Sequence, residues 1–470
     1  MSKGNLLDYS SLKRVLLILV CLSSVQLMSG QYIKSNSPYS RYGLGDLHSL
    51  NFAGTSSMAG GMGATYRSYW ETNLTNPASL SKLRFTSFEV GLFYKHSELS
   101  ERNTGLKAKS DDGNLANLSL AFPITRSWEI MRDTLRRGVP VQWGMAFSLT
   151  PFSTTSYDVS VSRGLAGIDT VNYNYLGTGN LYRVNWGNGL GYKGFSLGFN
   201  LGMVFGKNTY ISNISFQDSS YNYGFDESLR EERNTSGMVW DIGAQYEFVF
   251  KPKGASEADS DVDLKMIVGA YAGGSAFFNT NSKQVYLRYG KSSLTHSTDT
   301  IRNTADVKGQ MNLPLKIGGG VSFGKEFGWL VGVNYEHQLW SLFRENGAAN
   351  PNLTDGFNIS AGVQWIPDIT DFTSYFNRIR YRAGFQYGAD PRQLTGADGN
   401  SKYQLYTYGG SVGFGLPIRP PKSKSMLGFL NLGLDIGYIG HPELINDFYV
   451  KVNLGFTLSD KNWFVRPKFR

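Results

Sequence analysis

Only one cysteine, Cys21, occurs in the 470 residues, so a disulfide scaffold is excluded. Proline is scarce, at 15, and charged residues make up 18%, below the ~25% of an average globular protein. Beyond the first thirty residues no run of ~20 apolar residues exists, which rules out a helical membrane protein. Glycine and aromatics are what the chain has in plenty. There are 55 glycines, against roughly 33 expected at ~7%, and 14% of residues are aromatic. Disordered chains are poor in aromatic and β-branched residues, so disorder is excluded as well. What remains is one large β protein whose apolar residues are spread thinly.

Lys13 and Arg14 precede the short apolar core Val15 to Leu22, and Ser23 to Gly30 grow small and polar. That order is the one found in a secretory signal peptide, expected over residues 1–30, and the cysteine lies in its core. The net charge of +9 comes without an arginine-rich run or a basic helical stripe, so nucleic acid is not an expected partner. For an exported chain the basic balance suits anionic outer-membrane lipid and lipopolysaccharide.

Alternation is the dominant pattern. In Phe195 to Met203 every odd position is large and apolar and every even one is Ser, Gly or Asn; Phe448 to Leu458 repeats the scheme. Such dyads predict strands with one apolar and one polar face. Segments of this length with aromatic ends fit an outer-membrane barrel better than a soluble sandwich, whose strands are shorter. Fourteen candidates follow: 85–95, 115–124, 140–150, 184–192, 195–205, 236–250, 264–278, 312–323, 327–337, 356–366, 378–388, 405–416, 427–438 and 447–458. Long and short connections alternate between them. The expectation is therefore an all-β fold, a transmembrane outer-membrane β-barrel of about 14 antiparallel strands, with both ends periplasmic and residues 151–183, 206–235 and 279–311 as outer loops. The domain reading is 1–30 signal peptide, 31–84 N-terminal periplasmic hatch or plug, 85–458 barrel and 459–470 C-terminal periplasmic tail.

Residues 31–84 do not alternate. They contain Met58-Ala59-Gly60-Gly61-Met62-Gly63-Ala64-Thr65 and Asn76-Pro77-Ala78 just before the first strand. A small-residue stretch and an Asn-Pro-Ala motif in this place resemble the FadL family of outer-membrane transporters. The Ser37-Pro38-Tyr39-Ser40-Arg41-Tyr42-Gly43 pattern and the ending Asn462 to Arg470 are similar to FadL-like barrels of Bacteroidota. The resemblance implies a hatch that plugs the barrel, with Met58, Gly60, Gly61, Gly63, Asn76, Pro77 and Ala78 as its motif residues. It also implies a channel or transporter for hydrophobic or amphipathic, long-chain fatty-acid-like compounds, caught by the outer loops and passed through the barrel. Tyr173 to Leu176 and Tyr221 to Tyr223 would supply the capture surface. The alternative is a FadL-like scaffold or accessory subunit of an outer-membrane protein secretion or assembly machine, with protein subunits as partners.

On the inward faces alternation places Glu89, Asp241, Glu247, Lys265, Lys316, Glu336, Arg378, Arg380, Arg382, Asp435 and Lys451. Arg378, Arg380 and Arg382 share one face of one strand, because residues i, i+2 and i+4 point the same way. With Lys316 they could hold a ligand carboxylate. Alternatively they form a structural network with Glu89, Asp241, Glu247 and Glu336 that closes the lumen. The five histidines, His48, His96, His296, His337 and His441, share no face with a Ser and an Asp, so no enzyme is expected. Glu257, Asp259, Asp261 and Asp263 read as a solvated acidic turn, and neither a metal nor a cofactor is expected.

Overall fold

A strand whose alternate residues face lipid must have its backbone paired on both edges, and closure into a barrel is the arrangement that achieves this. The structure, a computed structural model, describes residues 37–101, 105–125, 141–165, 169–216, 225–250, 264–290, 298–371, 373–396, 400–418 and 426–461. The chain divides into two units. Met1–Lys34 lies outside the described residues, and with it the expected signal peptide and Cys21; Ser35–Arg470 holds the architecture below. Tyr221 to Tyr223, His296, the acidic turn from Glu257 to Asp263 and Asn462 to Arg470 also lie outside the described residues.

Fourteen staves, numbered β1 to β14, are formed among the described residues: Thr86–Glu101, Lys107–Pro123, Gln142–Leu165, Asp169–Tyr192, Phe195–Phe216, Phe225–Phe250, Leu264–Gly290, Lys316–Gly324, Trp329–Gln338, Gly356–Trp365, Arg380–Thr395, Lys402–Ile418, Met426–Gly440 and Ile445–Asp460. Each expected segment overlaps its own stave. Neighbours are antiparallel, and β14 pairs with β1 from Ile445↔Glu101 to Asp460↔Thr86, which closes the ring. Outward positions such as Leu201, Met203, Val452 and Phe456 are exposed, while their neighbours Asn200, Gly202, Asn453 and Gly455 turn into the lumen.

Two expectations are corrected. The segments read as outer loops are mostly strand: β3 to β7 run for 24, 24, 22, 26 and 27 residues, whereas β8 to β10 have 9, 10 and 10. At ~3.3 Å per residue and a tilt of ~40°, the longest stave rises roughly 65 Å, far beyond an apolar band of ~25 Å. These staves and the strand Thr298–Asn312, which pairs with β7, therefore continue outside the membrane as a tall curved sheet. Tyr173 and Tyr175 belong to β4, and Arg41 lies 4.1 Å from the centre of the Tyr175 ring, so this stretch is wall and not capture loop. The second correction concerns the N-terminal segment. Ser37 donates its N–H to Ser156 O, fifteen residues up β3 from the periplasmic end, so the described chain begins in the outer half of the barrel and descends.

Among the described residues the ring has one seam. β2 and β3 pair only from Leu118↔Leu149 to Pro123↔Gly144. Above Leu149 β3 parts from β2; two residues on stands Pro151, which has no N–H to give a ladder, and on the other edge of β3 the register with β4 slips between Pro151 and Ser153.

Candidate functional site: the plugged lumen

The plug is built from short turns because its sequence forbids longer elements. Asn76 caps the 3-10 turn Pro77–Lys82, accepting from Ala78 N at 3.2 Å, with Pro77 at the first position, where its missing N–H costs nothing. The Asn76 amide also donates to Ala64 O, at 2.8 Å, and to Ala244 O and Ala270 O in the wall, at 3.2 Å each. The Asn-Pro-Ala motif thus ties the plug to itself and to the barrel. Gly60 has a φ of +73°, which a residue with a side chain adopts only under strain.

From Ala53 to Leu80 the plug circles the lumen, and the wall presents glycine where the plug's backbone comes closest. A Cβ on Gly384 would lie 2.2 Å from Met58 C; on Gly269, 2.1 Å from Ala64 O; on Gly198, 2.3 Å from Pro77 C; on Gly144, 1.9 Å from Leu80 O. The contact is reciprocal at Gly61, whose Cβ would lie 2.3 Å from Gly362 N. Met58, Met62, Ala78 and Leu80 are fully buried as a result.

Charge pairing holds the same plug. Glu71 is the one carboxylate between Asp46 and Glu89, and it is buried against two arginines of β11. Arg380 Nη1 lies 2.9 Å and Arg382 Nη2 3.3 Å from Glu71 Oε2, and the Tyr66 hydroxyl donates to the same oxygen. Burial pushes the Glu71 carboxyl up, but Arg380 and then Arg382 outweigh it and hold Glu71 below the ordinary carboxylate range. Arg382 also donates to Gln364 at 2.9 Å and Asn431 at 2.7 Å, and the Arg380 guanidinium lies 4.0 Å from the centre of the Phe429 ring. Lower down, Glu247 pairs with Arg67 at 3.1 Å and Lys82 at 3.5 Å, and Glu89 accepts from Thr72 N at 2.9 Å.

The predicted lumen residues therefore do not form one constellation. Arg380 and Arg382 meet each other through Glu71. Arg378 is not in their row; it sits in the 3-10 turn Phe376–Arg378 at the periplasmic end, over the Tyr375 ring. Lys316 lies across the barrel, 3.5 Å from Asp241, which is paired with Arg183, and Glu336 accepts from Tyr271 and Gln338 at 2.7 Å each. Sequence reasoning missed Glu71, Arg183 and Asp46, though a solitary carboxylate in a plug facing an arginine row was a usable signal for the first.

Above the plug lies a cavity of about 530 Å³ lined by Asp241, Lys316, Glu336, Lys95, Asp435 and Lys451 among others. Its roof is an apolar cluster. Leu181, Val204, Val239, Phe278 and Met311 point inward from the wall and meet Trp340, Phe343 and Leu353, which come from the connection 339–355 folded into the mouth. That connection turns back through Asn346 and Gly347, both with positive φ, and Arg344 pairs with Asn312.

The seam is closed from within by the first described residues, a strap from Ser37 to Ser49. Asp46 and Leu47 pair with Thr154 and Ser153 of β3, His48 N–H donates to Phe152 O at 3.0 Å, and Asp46 pairs with Arg392 at 2.5 Å. His48 Nε2 lies 2.9 Å from Thr154 Oγ1. Burial first, and then the Lys451 ammonium, push His48 down to about 4 from an ordinary 6.5. Between those values the unfolded strap binds more protons than the docked one, so docking is strongest above about pH 6.5 and weakens as pH falls towards 4. Amide exchange at Leu47 and His48 is expected to accelerate between pH 7 and pH 4.5, after correction for intrinsic rates. His48→Gln is expected to remove that acceleration.

A fourteen-stave ring with an internal N-terminal plug is a specific architecture. The BamG family model matches residues 11–470. The chain belongs to the BamG family. No curated protein matches it by sequence. Among solved structures, a FadL homologue of Pseudomonas aeruginosa superposes with a TM-score of 0.54 at 10% identity, covering 88% of this chain and 99% of that one. The toluene transporters TodX of Pseudomonas putida and TbuX of Ralstonia pickettii each give 0.50, at 14% and 12% identity, covering 88% and 87% of this chain and 99% and 98% of theirs. This BamG-family chain is therefore a FadL-like outer-membrane β-barrel.

Proposed function

We propose that this BamG-family barrel is a sealed scaffold, an accessory subunit of an outer-membrane protein secretion or assembly machine that presents its extracellular sheet to protein. The chemistry of the lumen carries the reading. The cavity above the plug carries Lys95, Lys316, Glu336, Asp435 and Lys451 in its lining beside apolar side chains, and an apolar cargo entering it would strip water from those charged groups without replacing it. The two arginines able to grip a carboxylate are consumed by Glu71. Glycine-lined contact on all sides supports a plug that stays, and the sheet continuing from β3 to β7 offers polypeptide a surface well clear of lipid. Neither cofactor nor catalytic step enters the proposal. Native mass spectrometry of protein extracted in mild detergent tests it: a stoichiometric protein partner with an empty lumen is the expected spectrum. A solitary barrel carrying a lipid-like ligand is the opposing one.

A second reading, transport of hydrophobic or long-chain fatty-acid-like compounds, is favoured by the seam. β2 and β3 part beside the cavity, and at the gap the strap pairs with β3 through two residues only. Leu47→Cys with Ser153→Cys would lock the strap to the wall, since directly paired strand residues are close enough to bridge. If the seam is a route, oxidation abolishes uptake of a fluorescent fatty acid and reduction restores it. The scaffold reading expects no change in either state.

A further inference from the structure

The outer surface of the tall sheet changes character in tiers as it leaves the membrane. Met203, Met238 and Phe277 are cross-strand neighbours on β5, β6 and β7, all exposed, and mark the apolar band. Lys207 lies four residues beyond Met203, opposite Asn234; Asn234 is opposite Asn281, and Asn281 is opposite Lys308 of the strand Thr298–Asn312. One step higher, Glu232 is opposite Lys283, and Arg230 follows on the same face. Lys207, Arg230, Lys283 and Lys308 are all exposed, and two carboxylates lie among them: Glu232, and Asp306, whose Oδ1 accepts from Asn281 Nδ2 at 3.1 Å. Glu232 takes Lys207 on one oxygen and Arg230 on the other, each at 2.7 Å, so both its oxygens are used. Among the described residues Lys283 and Lys308 have no ion pair.

We propose that this face binds the phosphate groups of an outer-leaflet glycolipid, that is, lipopolysaccharide. Four cations against two anions leave two positive charges on a surface about three inter-strand spacings wide, roughly 14 Å. Their height is the second argument. Lys207 lies two residues beyond Phe205, the last exposed apolar side chain of β5, so the basic tier begins ~5 Å above the apolar band, the level at which lipid head groups lie. Asn234 and Asn281 between the lysines add donors and acceptors suited to sugar hydroxyls. A lipid whose acyl chains lie along Met203, Met238 and Phe277 would bring its phosphates to the basic tier without moving the protein. Arg230, already aligned by Glu232, supplies the planar fork for a phosphate, and Lys283 and Lys308 supply point charges.

The test uses the full chain in detergent, titrated with lipid A and followed by native mass spectrometry. Lipid A is expected to stay bound through purification. The triple variant Lys207→Gln, Lys283→Gln, Lys308→Gln is expected to bind at least ten-fold more weakly, while the corresponding Lys→Arg triple retains binding. Unboiled gel mobility equal to wild type establishes that each variant is folded. Dephosphorylated lipid A is expected not to bind, and millimolar inorganic phosphate not to compete. Equal affinity for the dephosphorylated lipid, or unchanged binding by the Gln triple, overturns the proposal. Competition by inorganic phosphate alone overturns it in favour of a free-anion site, and an acidic protein found on this face in place of lipid overturns it in favour of a protein interface.

Discussion

Glu71→Ala is expected to turn a silent barrel into a conducting one. The substitution leaves the Arg380 and Arg382 guanidiniums side by side, buried and without their anion. Removing one partner from a buried ion pair typically costs about 3–5 kcal/mol, because the stranded charge has lost its water as well. Here two charges are stranded, and the low-cost relief is for the plug to leave so that water can reach them. Planar-bilayer recording should give long open steps in the variant and none in the wild type. The triple variant Glu71→Ala, Arg380→Leu, Arg382→Leu separates charge from simple loss of packing. With no charge left to solvate, it is expected to recover most of the silence. Steps of equal size in the single and triple variants would mean that the triad does not hold the plug.

A side chain at Gly384 should unseat the plug by shape alone. Its Cβ would fall 2.2 Å from Met58 C and 2.3 Å from Met58 O, both backbone atoms that cannot swing aside. Overpacking of this kind typically costs about 1–3 kcal/mol for added methylenes, and a backbone collision falls at the upper end or beyond. Gly384→Val is therefore expected to free the Met58 turn and expose Arg67 and Lys82 to trypsin added from the periplasmic side, where the wild-type plug resists. Gly105→Val is the control. It has open space around its Cβ position, and although its own φ of +69° strains the turn, that strain lies in the β1–β2 connection, away from the plug. Digestion at the same rate in both variants would remove the wedge from the account.

The fourteen staves are legible in the sequence because lipid imposes period two without interruption: Phe448 to Leu458 can face a bilayer in one way only. The height of β3 to β7 is not legible. Above the membrane both faces meet water, so Tyr173-Asn174-Tyr175 and Glu227 to Arg233 carry no apolar period and look like loop. Glycine in the wall is visible as a count, but its purpose emerges only when Met58, Ala64, Pro77 and Leu80 are seen lying against Gly384, Gly269, Gly198 and Gly144. The arginine row is partly readable. Arg380 and Arg382 share a lumen face as period two requires, whereas Arg378 falls beyond the strand, in the turn Phe376–Arg378. Glu71 pairs with residues some three hundred positions away, and no local pattern records such a contact. The seam has one local mark in the sequence, Pro151, yet a single proline is also compatible with an ordinary edge or bulge.

At the centre of the account is a lumen that is shut in the intact protein by plug, roof and strap together. Swelling of proteoliposomes in an isotonic small sugar measures this most directly, with wild type compared to a chain lacking residues 31–72. Wild-type vesicles are expected to swell at the rate of protein-free vesicles, and vesicles carrying the deleted chain are expected to swell fast. Wild-type vesicles swelling at the rate of the deleted chain would contradict it.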